Sequence, residues 1–162
     1  MFDTVLIAGL GLMGGSMAKT IKARTLSRVL GWNRTRATAE QALADGSIDA
    51  IATEALYKEA DLVIIGLYPQ ATVDWLLENM PKMKKGCVIV DMVGVKQFMV
   101  DHLEQAALDA GVHYVGGHPM AGREFSGLDY SLPTLFDGAS MIFVPTRSSN
   151  ERVLEQLEAY FM

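Results

Sequence analysis

The fold of this chain is decided by the segment Val5-Leu6-Ile7-Ala8-Gly9-Leu10-Gly11-Leu12-Met13-Gly14-Gly15-Ser16. Its apolar beginning predicts a buried strand, and residues 16–23 can continue as a helix. Between these elements, Gly9, Gly11 and Gly14 have the spacing G-x-G-x-x-G. A strand, this glycine spacing and a helix, in that order, are typical of a dinucleotide-binding fold. The alternative is a glycine-rich turn with a purely structural role.

Each glycine of the motif meets a separate physical requirement of such a site. Gly9 permits the tight turn from strand to helix, Gly11 lets a pyrophosphate approach the backbone, and Gly14 lets the helix pack closely on the sheet. The amide groups at the helix start, near Leu12 and Met13, then point toward the anion, where the helix dipole is favourable. These five residues are predicted to bind the cofactor.

Composition restricts the classes of protein to which the chain can belong. It has 162 residues, of which 50% are hydrophobic and 20% are charged, as is typical of a single globular domain. Its formal charge of −5 argues against general nucleic-acid binding, which needs a basic surface. The only cysteine, Cys87, lies in a strand pattern and is interpreted as a buried thiol, which fits a reducing, cytoplasmic location. Neither a signal peptide, a membrane span nor a metal site is expected.

Strands and helices alternate along the sequence. The predicted strands are residues 4–8, 28–32, 48–52, 61–67, 86–92, 112–115 and 141–144. The predicted helices are residues 16–23, 38–44, 56–60, 71–80, 98–110 and 151–161. The strands are continuous apolar runs, which indicates burial on both faces. The sequence therefore predicts an α/β fold of the Rossmann type, a doubly wound, mostly parallel sheet with helices on both faces, formed by residues 1–162 as one domain.

The end of the second strand indicates which dinucleotide is bound, because this position faces the adenosine ribose. An acidic residue would accept hydrogen bonds from the 2′-hydroxyl, but the sequence has Asn33 followed by Arg34. A carboxylate would repel a 2′-phosphate, whereas a guanidinium can bind one through a bidentate contact. The sequence therefore favours NADP over NAD, with Asn33, Arg34 and Thr35 as contacts. The alternative is that Arg34 and Arg36 are solvated turn residues.

Ligands of such a sheet bind at the carboxyl ends of the strands, so four turns are expected to meet there. They are residues 9–14, Tyr68-Pro69, residues 92–96 and a small-residue loop over 116–122. Pro69 is expected to end the fourth strand and open the next turn. Tyr68, Pro69 and Gly94 are predicted to bind the cofactor. His118 is the only histidine at this edge, because His102 falls within a helix and His113 at a strand start, and it is predicted to be catalytic.

The residues also carry a resemblance. The glycine motif, together with Gly116-Gly117-His118-Pro119-Met120-Ala121-Gly122-Arg123-Glu124, Ser126-Gly127 and Leu135-Phe136-Asp137-Gly138-Ala139, resembles the prephenate/arogenate dehydrogenase family of tyrosine biosynthesis. The resemblance covers nearly the whole chain. It implies an oxidative decarboxylation, in which a hydride passes to the nicotinamide and the substrate ring becomes aromatic. It also implies that His118 hydrogen-bonds the substrate hydroxyl and polarises it.

The sequence departs from this family in two respects. The family commonly has Gly-Ser before its Val-Lys pair, whereas here Val93-Gly94 precede Val95-Lys96, so the serine hydroxyl is missing at Gly94. Family members also continue into a helical domain that dimerises and supplies residues for the substrate's side-chain carboxylate, and residues 1–162 are expected to lack it. The full-length form is expected to be a homodimer that acts on prephenate or arogenate.

Two other interpretations stay open from the sequence. β-Hydroxyacid dehydrogenases and imine reductases begin with the same glycine motif and can carry Asn-Arg-Thr, but they use a lysine on a later helix and lack the segment around His118. The chain could also be a nucleotide-sensing module that binds a cofactor and catalyses no reaction.

Overall fold

The computed structural model describes residues 1–162, which form seven β-strands and six α-helices. The strands are β1 (Thr4–Ala8), β2 (Arg28–Trp32), β3 (Ala50–Ile51), β4 (Leu62–Ile65), β5 (Val88–Asp91), β6 (His113–Pro119) and β7 (Met141–Val144). The helices are α1 (Leu12–Arg24), α2 (Arg36–Ala44), α3 (Glu54–Tyr57), α4 (Pro69–Asn79), α5 (Lys96–Ala110) and α6 (Glu151–Phe161). Short 3-10 helices occur at Met80–Lys82 and Leu128–Tyr130.

All strands belong to one sheet with the order β3-β2-β1-β4-β5-β6-β7. β1 to β6 are parallel, and β7 is antiparallel to β6. The chain moves outward from β1 to β3, returns to the other side of β1 at β4, and continues outward from there. The connections after β1 and β4 therefore lead away from each other, which opens a crevice at the carboxyl ends of these strands. The prediction of a Rossmann-type, mostly parallel sheet is confirmed.

Apolar side chains cover both faces of this sheet. On one face, Leu6, Val63 and Ile89 pack in a buried cluster with residues of α3, α4 and α5. On the other face, the neighbouring residues of the same strands pack with residues of α1, α2 and α6. All four residues of β4 are buried, because both of its faces are covered. Each fully buried aliphatic side chain of this kind stabilises the fold by about 1.5–3 kcal/mol.

The prediction of a loop over residues 116–122 is wrong for its first part, because β6 continues to Pro119. Residues Gly116 to Pro119 pair with β7 in an antiparallel ladder. A β-carbon on Gly117 would lie 2.3 Å from the carbonyl oxygen of Asp91, and one on Gly116 would lie 3.3 Å from Cβ of Val144. The two glycines are therefore required by the close approach of neighbouring strands and not by a turn.

The start of α4 also differs from the prediction. Pro69 does not open a separate turn but is the first residue of the helix. Proline suits this position because its missing N–H would have no intrahelical partner and its φ is already helical. Helices α1 and α5 likewise begin earlier than predicted, at Leu12 and Lys96.

The last helix has the predicted bounds. α6 begins directly after Asn150, whose side-chain oxygen accepts a hydrogen bond from the N–H of Val153 at 3.0 Å. Such a cap satisfies one of the free donors at a helix start. None of the helices is both long enough and apolar enough to cross a membrane.

Candidate nucleotide and substrate site

The turn after β1 depends on glycines that have no room for a side chain. Gly9 has a φ of 92°, and its N–H donates to the carbonyl oxygen of Trp32 at 2.8 Å. A β-carbon on Gly9 would lie 2.7 Å from the carbonyl oxygen of Gly66, and one on Gly14 would lie 1.7 Å from that of Gly9. β1, β4 and α1 therefore meet at distances that only glycine allows.

Gly11 differs from these glycines, because a β-carbon on it would meet nothing within 4 Å. It is the N-cap residue of α1, and the amide groups of Leu12 and Met13 donate to no protein acceptor. The first turn of α1 carries no acidic side chain. This open surface, its free donors and the positive end of the helix dipole fit an anionic group such as a pyrophosphate.

The side chain of Asn33, which follows β2, is hydrogen-bonded to the glycine turn after β1. Its Oδ1 accepts a hydrogen bond from the N–H of Leu10 at 2.9 Å, and its Nδ2 donates to the carbonyl oxygen of Thr35 at 3.1 Å. The sequence predicts only that Asn33 faces the adenosine ribose. The structure adds a second role, which is to orient the turn through Leu10, a contact that no local sequence pattern indicates.

The two arginines after Asn33 have different contacts, although both side chains are exposed. Arg36 forms an ion pair with Glu40, with 2.9 Å between Nε and Oε1. Arg34 forms no ion pair. Thr35 occupies the N-cap position of α2 without a side-chain capping hydrogen bond. The guanidinium of Arg34 and the hydroxyl of Thr35 are therefore both free to contact a ligand.

Tyr68 and Pro69 follow two residues after the end of β4, which neighbours β1 in the sheet. Tyr68 is the N-cap residue of α4 and is 84% exposed. This exposure leaves the side chain accessible to a ligand at this edge of the sheet. The structure thus brings the Tyr68-Pro69 pair to the same edge of the sheet as the glycine turn.

His118 lies toward the same edge, beside Gly94 in the turn between β5 and α5. A β-carbon on Gly94 would lie 3.5 Å from Cε1 and 3.9 Å from Nδ1 of the imidazole. Nδ1 is buried and has no hydrogen-bond partner, whereas Nε2 is bonded to no group of the chain and belongs to a side chain that is partly exposed. Nε2 is therefore the nitrogen that a substrate can reach. The other two histidines bond to carbonyl oxygens within the chain, His102 to Phe98 and His113 to Ser148.

A buried polar cluster lies beneath His118, and the sequence analysis missed it. The carboxylate of Asp91 is fully buried and contacts the ammonium of Lys96 and the hydroxyl of Tyr114, the latter at 2.7 Å. Burial lowers the pKa of Lys96, and the charge of Asp91 offsets this only in part. Burial and the same carboxylate raise the pKa of Tyr114. The available signal was Asp91 itself, an acidic residue at the end of an otherwise apolar strand.

Comparison with known proteins assigns the family. Residues 17–162 match the family described as prephenate dehydrogenase, nucleotide-binding domain. This chain belongs to that family. The prephenate dehydrogenase of Bacillus subtilis is 36% identical to it over 162 residues, which are 98% of this chain and 43% of that protein.

Two solved structures of the prephenate dehydrogenase type are also similar. Prephenate dehydrogenase from A. aeolicus, in complex with hydroxyphenyl propionate and NAD+, has a TM-score of 0.89 and 27% identity, over 99% of this chain and 57% of that one. Arogenate dehydrogenase from Synechocystis has a TM-score of 0.87 and 25% identity, over 97% of this chain and 55% of that one. This chain spans about half the length of the curated relatives it matches.

Membership of the prephenate dehydrogenase family decides between two of the interpretations drawn from the sequence. The matches favour this family over the β-hydroxyacid dehydrogenases and imine reductases.

In this member of the prephenate dehydrogenase family, the segment after β6 packs on α1. The N–H of Leu132 donates to the buried hydroxyl of Ser16 at 2.9 Å. A β-carbon on Gly15 would lie 2.7 Å from Cδ1 of Leu128. The chain that follows His118 is therefore anchored to the helix whose N-terminus fits a pyrophosphate, and Ser16 was not identified in the sequence analysis.

Proposed function

We propose that this chain is the nucleotide-binding part of an NADP-dependent prephenate or arogenate dehydrogenase of tyrosine biosynthesis. The reaction is an oxidative decarboxylation. The ring carbon that bears the hydroxyl loses a hydride, carbon dioxide leaves, and the ring becomes aromatic. The single observation that carries the proposal is that His118, a partly exposed histidine, lies at the edge of the sheet that also holds the glycine turn. Family membership supports the same reaction.

The residues at this edge fit a nicotinamide dinucleotide. Gly11 and the amide groups of Leu12 and Met13 would hold its pyrophosphate, while Gly9 and Gly14 keep the turn in shape. Tyr68, Pro69 and Gly94 would line its path toward His118. When bound, the nicotinamide ring supplies the hydride acceptor. The similar prephenate dehydrogenase from A. aeolicus was solved with NAD+, which supports a nicotinamide cofactor.

The role of His118 is to accept a proton. A neutral imidazole whose Nε2 faces the substrate hydroxyl can take the hydroxyl proton as the ring carbon is oxidised. This transfer stabilises the developing carbonyl and leaves a protonated imidazole, which returns the proton to solvent. General-base help of this kind accelerates reactions by roughly a hundred- to ten-thousandfold.

NADP is the proposed form of the cofactor. Asn33 stands where an acidic residue would accept the ribose 2′-hydroxyl, and its side chain is engaged with Leu10 and Thr35. Arg34 is exposed, has no ion-pair partner and follows directly, so its guanidinium is available for a 2′-phosphate. Such charge-assisted contacts are among the stronger hydrogen bonds in proteins.

The full-length protein is proposed to be a cytoplasmic homodimer. The proposal extends the family resemblance, in which a helical region dimerises and supplies groups for the substrate's side-chain carboxylate. By this account residues 1–162 on their own bind the cofactor but oxidise substrate poorly, because the groups that the helical region supplies for the substrate's carboxylate would not be present.

The test is to assay the intact protein with prephenate and with arogenate, following the absorbance of the reduced cofactor. Turnover of one of them at a rate on the order of 10 per second supports the proposal. Binding of NADPH with no oxidation of either compound would favour a nucleotide-sensing module. Turnover by the 162-residue chain alone at the same rate would show that no further domain contributes to the site.

A further inference from the structure

The hydrogen-bonded ladder between β6, which carries His118, and its parallel neighbour β5 ends just before the site. The backbone ladder between β5 and β6 ends at the pair Val90 and Val115. Beyond this pair, the side chain of Lys96 joins the two strands. Its ammonium donates to the carboxylate of Asp91 at the end of β5 and to the carbonyl oxygen of Gly117 at 2.5 Å. Gly117 directly precedes His118, so the lysine holds β6 at the residue next to the imidazole.

The carboxylate that holds this ammonium is itself held in one orientation. Oδ1 of Asp91 accepts the N–H of Val93 at 2.8 Å, and Oδ2 accepts the hydroxyl of Tyr114 at 2.7 Å. Asp91 is fully buried, and only 17% of the Lys96 side chain is exposed. A buried ion pair with further hydrogen bonds is hard to open, because each charge would lose its partner in a region of low dielectric.

The same lysine also lies at the end of the Gly94 turn, which faces the imidazole from the other side. Lys96 is the first residue of α5, so its position determines where the turn that contains Gly94 ends. A β-carbon on Gly116 would lie 3.0 Å from Cδ of Lys96, which shows that the stem of the lysine packs on β6. The imidazole of His118 therefore projects from β6 toward the turn that contains Gly94. Lys96 contacts β6 through the carbonyl oxygen of Gly117 and ends that turn as the first residue of α5.

We propose that Lys96, oriented by Asp91, is a positioning residue that holds His118 in place through the carbonyl oxygen of Gly117. Lys96 acts through the backbone and does not touch the reacting atoms. The proposal rests on the proposed function, since it assigns Lys96 to the alignment of the catalytic imidazole. A displacement of about 1 Å in such a group is enough to lower a rate a hundredfold.

The experiment compares two lysine variants of the intact protein. Lys96→Met keeps an unbranched apolar side chain but removes the ammonium. Lys84→Met is the matched control, because Lys84 pairs with Asp61, which accepts the N–H of Thr4 at the opposite end of the sheet. Both variants lose an ion pair, but only the first is expected to affect His118.

The expected result separates positioning from general loss of stability. Lys96→Met lowers kcat by about ten- to a hundredfold and leaves the Kd of NADPH within about twofold. In selectively labelled protein, the ring resonance of His118, assigned by its loss in His118→Asn, shifts and broadens in Lys96→Met and is unchanged in Lys84→Met. Equal kcat in the two variants, with an unshifted His118 resonance, would overturn the proposal.

A double variant covers the case in which Lys96→Met leaves a buried charge and fails to fold. Asp91→Asn with Lys96→Met removes both charges together, which proteins tolerate better than the loss of one partner. Its amide oxygen can still accept the N–H of Val93, and its amide nitrogen can donate to the hydroxyl oxygen of Tyr114. Gly117 is left without the ammonium, so the same loss of kcat is expected. If the unmodified protein oxidises neither prephenate nor arogenate, the proposed function fails, and the His118 resonance alone still decides whether Lys96 positions the imidazole.

Discussion

Gly94 faces the imidazole of His118, since a β-carbon on Gly94 would lie 3.5 Å from Cε1 of that ring, and Nδ1 of the ring has no hydrogen-bond partner. Gly94→Ser would place a hydroxyl within hydrogen-bond distance of Nδ1, because its β-carbon would lie 3.9 Å away. The bond would keep the proton on Nδ1 and leave Nε2 free as the base. We expect kcat of the intact protein to rise about two- to tenfold, as one net hydrogen bond of about 0.5–1.5 kcal/mol implies.

Gly94→Ala is the control for that variant, because it adds the β-carbon without the hydroxyl. Its kcat should stay near that of the unmodified protein or fall slightly. An equal rise of kcat in both variants would mean that packing, and not the hydrogen bond to Nδ1, limits the rate.

Arg34→Ala tests the assignment of NADP. Loss of a charge-assisted contact to the 2′-phosphate should weaken NADPH binding by about 1.5–3 kcal/mol, roughly ten- to a hundredfold, and leave NADH binding nearly unchanged. Isothermal titration of both nucleotides measures the difference. Arg36→Ala is the control, because Arg36 is already paired with Glu40 and should not affect NADPH binding. Tighter binding of NADH than of NADPH by the unmodified chain would contradict the assignment.

Two alanine substitutions in the glycine motif should have opposite consequences. A β-carbon on Gly11 meets nothing in the protein, so Gly11→Ala should keep its Tm and lose affinity for both nucleotides by tenfold or more, on the order of 1.4 kcal/mol. A β-carbon on Gly14 would collide with the carbonyl oxygen of Gly9, so Gly14→Ala should unfold at a clearly lower Tm. Thermal melts with and without NADPH distinguish the two. Equal Tm values would show that the turn can relax around residue 14.

His118→Asn tests the catalytic role directly. Asparagine can accept a hydrogen bond from the substrate hydroxyl but cannot take its proton, so kcat of the intact protein should fall by roughly a hundred- to ten-thousandfold. Nucleotide affinity should be unchanged, because the fold and the glycine turn are untouched. A loss of NADPH binding in proportion to the loss of activity would assign His118 a structural role instead.

The lowered pKa of Asp61 makes the stability of the folded chain depend on pH. Burial raises the pKa of Asp61, but the hydrogen bonds from Lys84 and from the N–H of Thr4 outweigh it, so the pKa lies below its ordinary value. A carboxyl group of this kind stabilises the folded state above its unfolded pKa, and that stabilisation is lost as the pH falls through the folded value. Asp61→Asn should therefore lower Tm at neutral pH, and its difference from the unmodified protein should shrink below about pH 4. Melts across this range measure the effect, and a difference independent of pH would contradict it.

The sequence by itself determined the architecture and the nucleotide turn. Apolar runs and glycine, proline and capping residues act over a few neighbouring positions, so β1, β2, β7 and α6 follow directly from local patterns. The roles of Gly9 and Gly14 were predictable for the same reason, since this glycine spacing between an apolar strand and a helix indicates a tight turn and close packing of the helix on the sheet.

Only the tertiary structure decided how the part of the site around His118 is built. Gly116 and Gly117 resemble a loop in sequence, but the approach of Asp91 and β7 makes them strand residues. The bond from Leu10 to Asn33 and the bridge from Lys96 to Gly117 join residues far apart in the chain. Their existence depends on which strands become neighbours and how closely these pack, and no local pattern of residues encodes those distances.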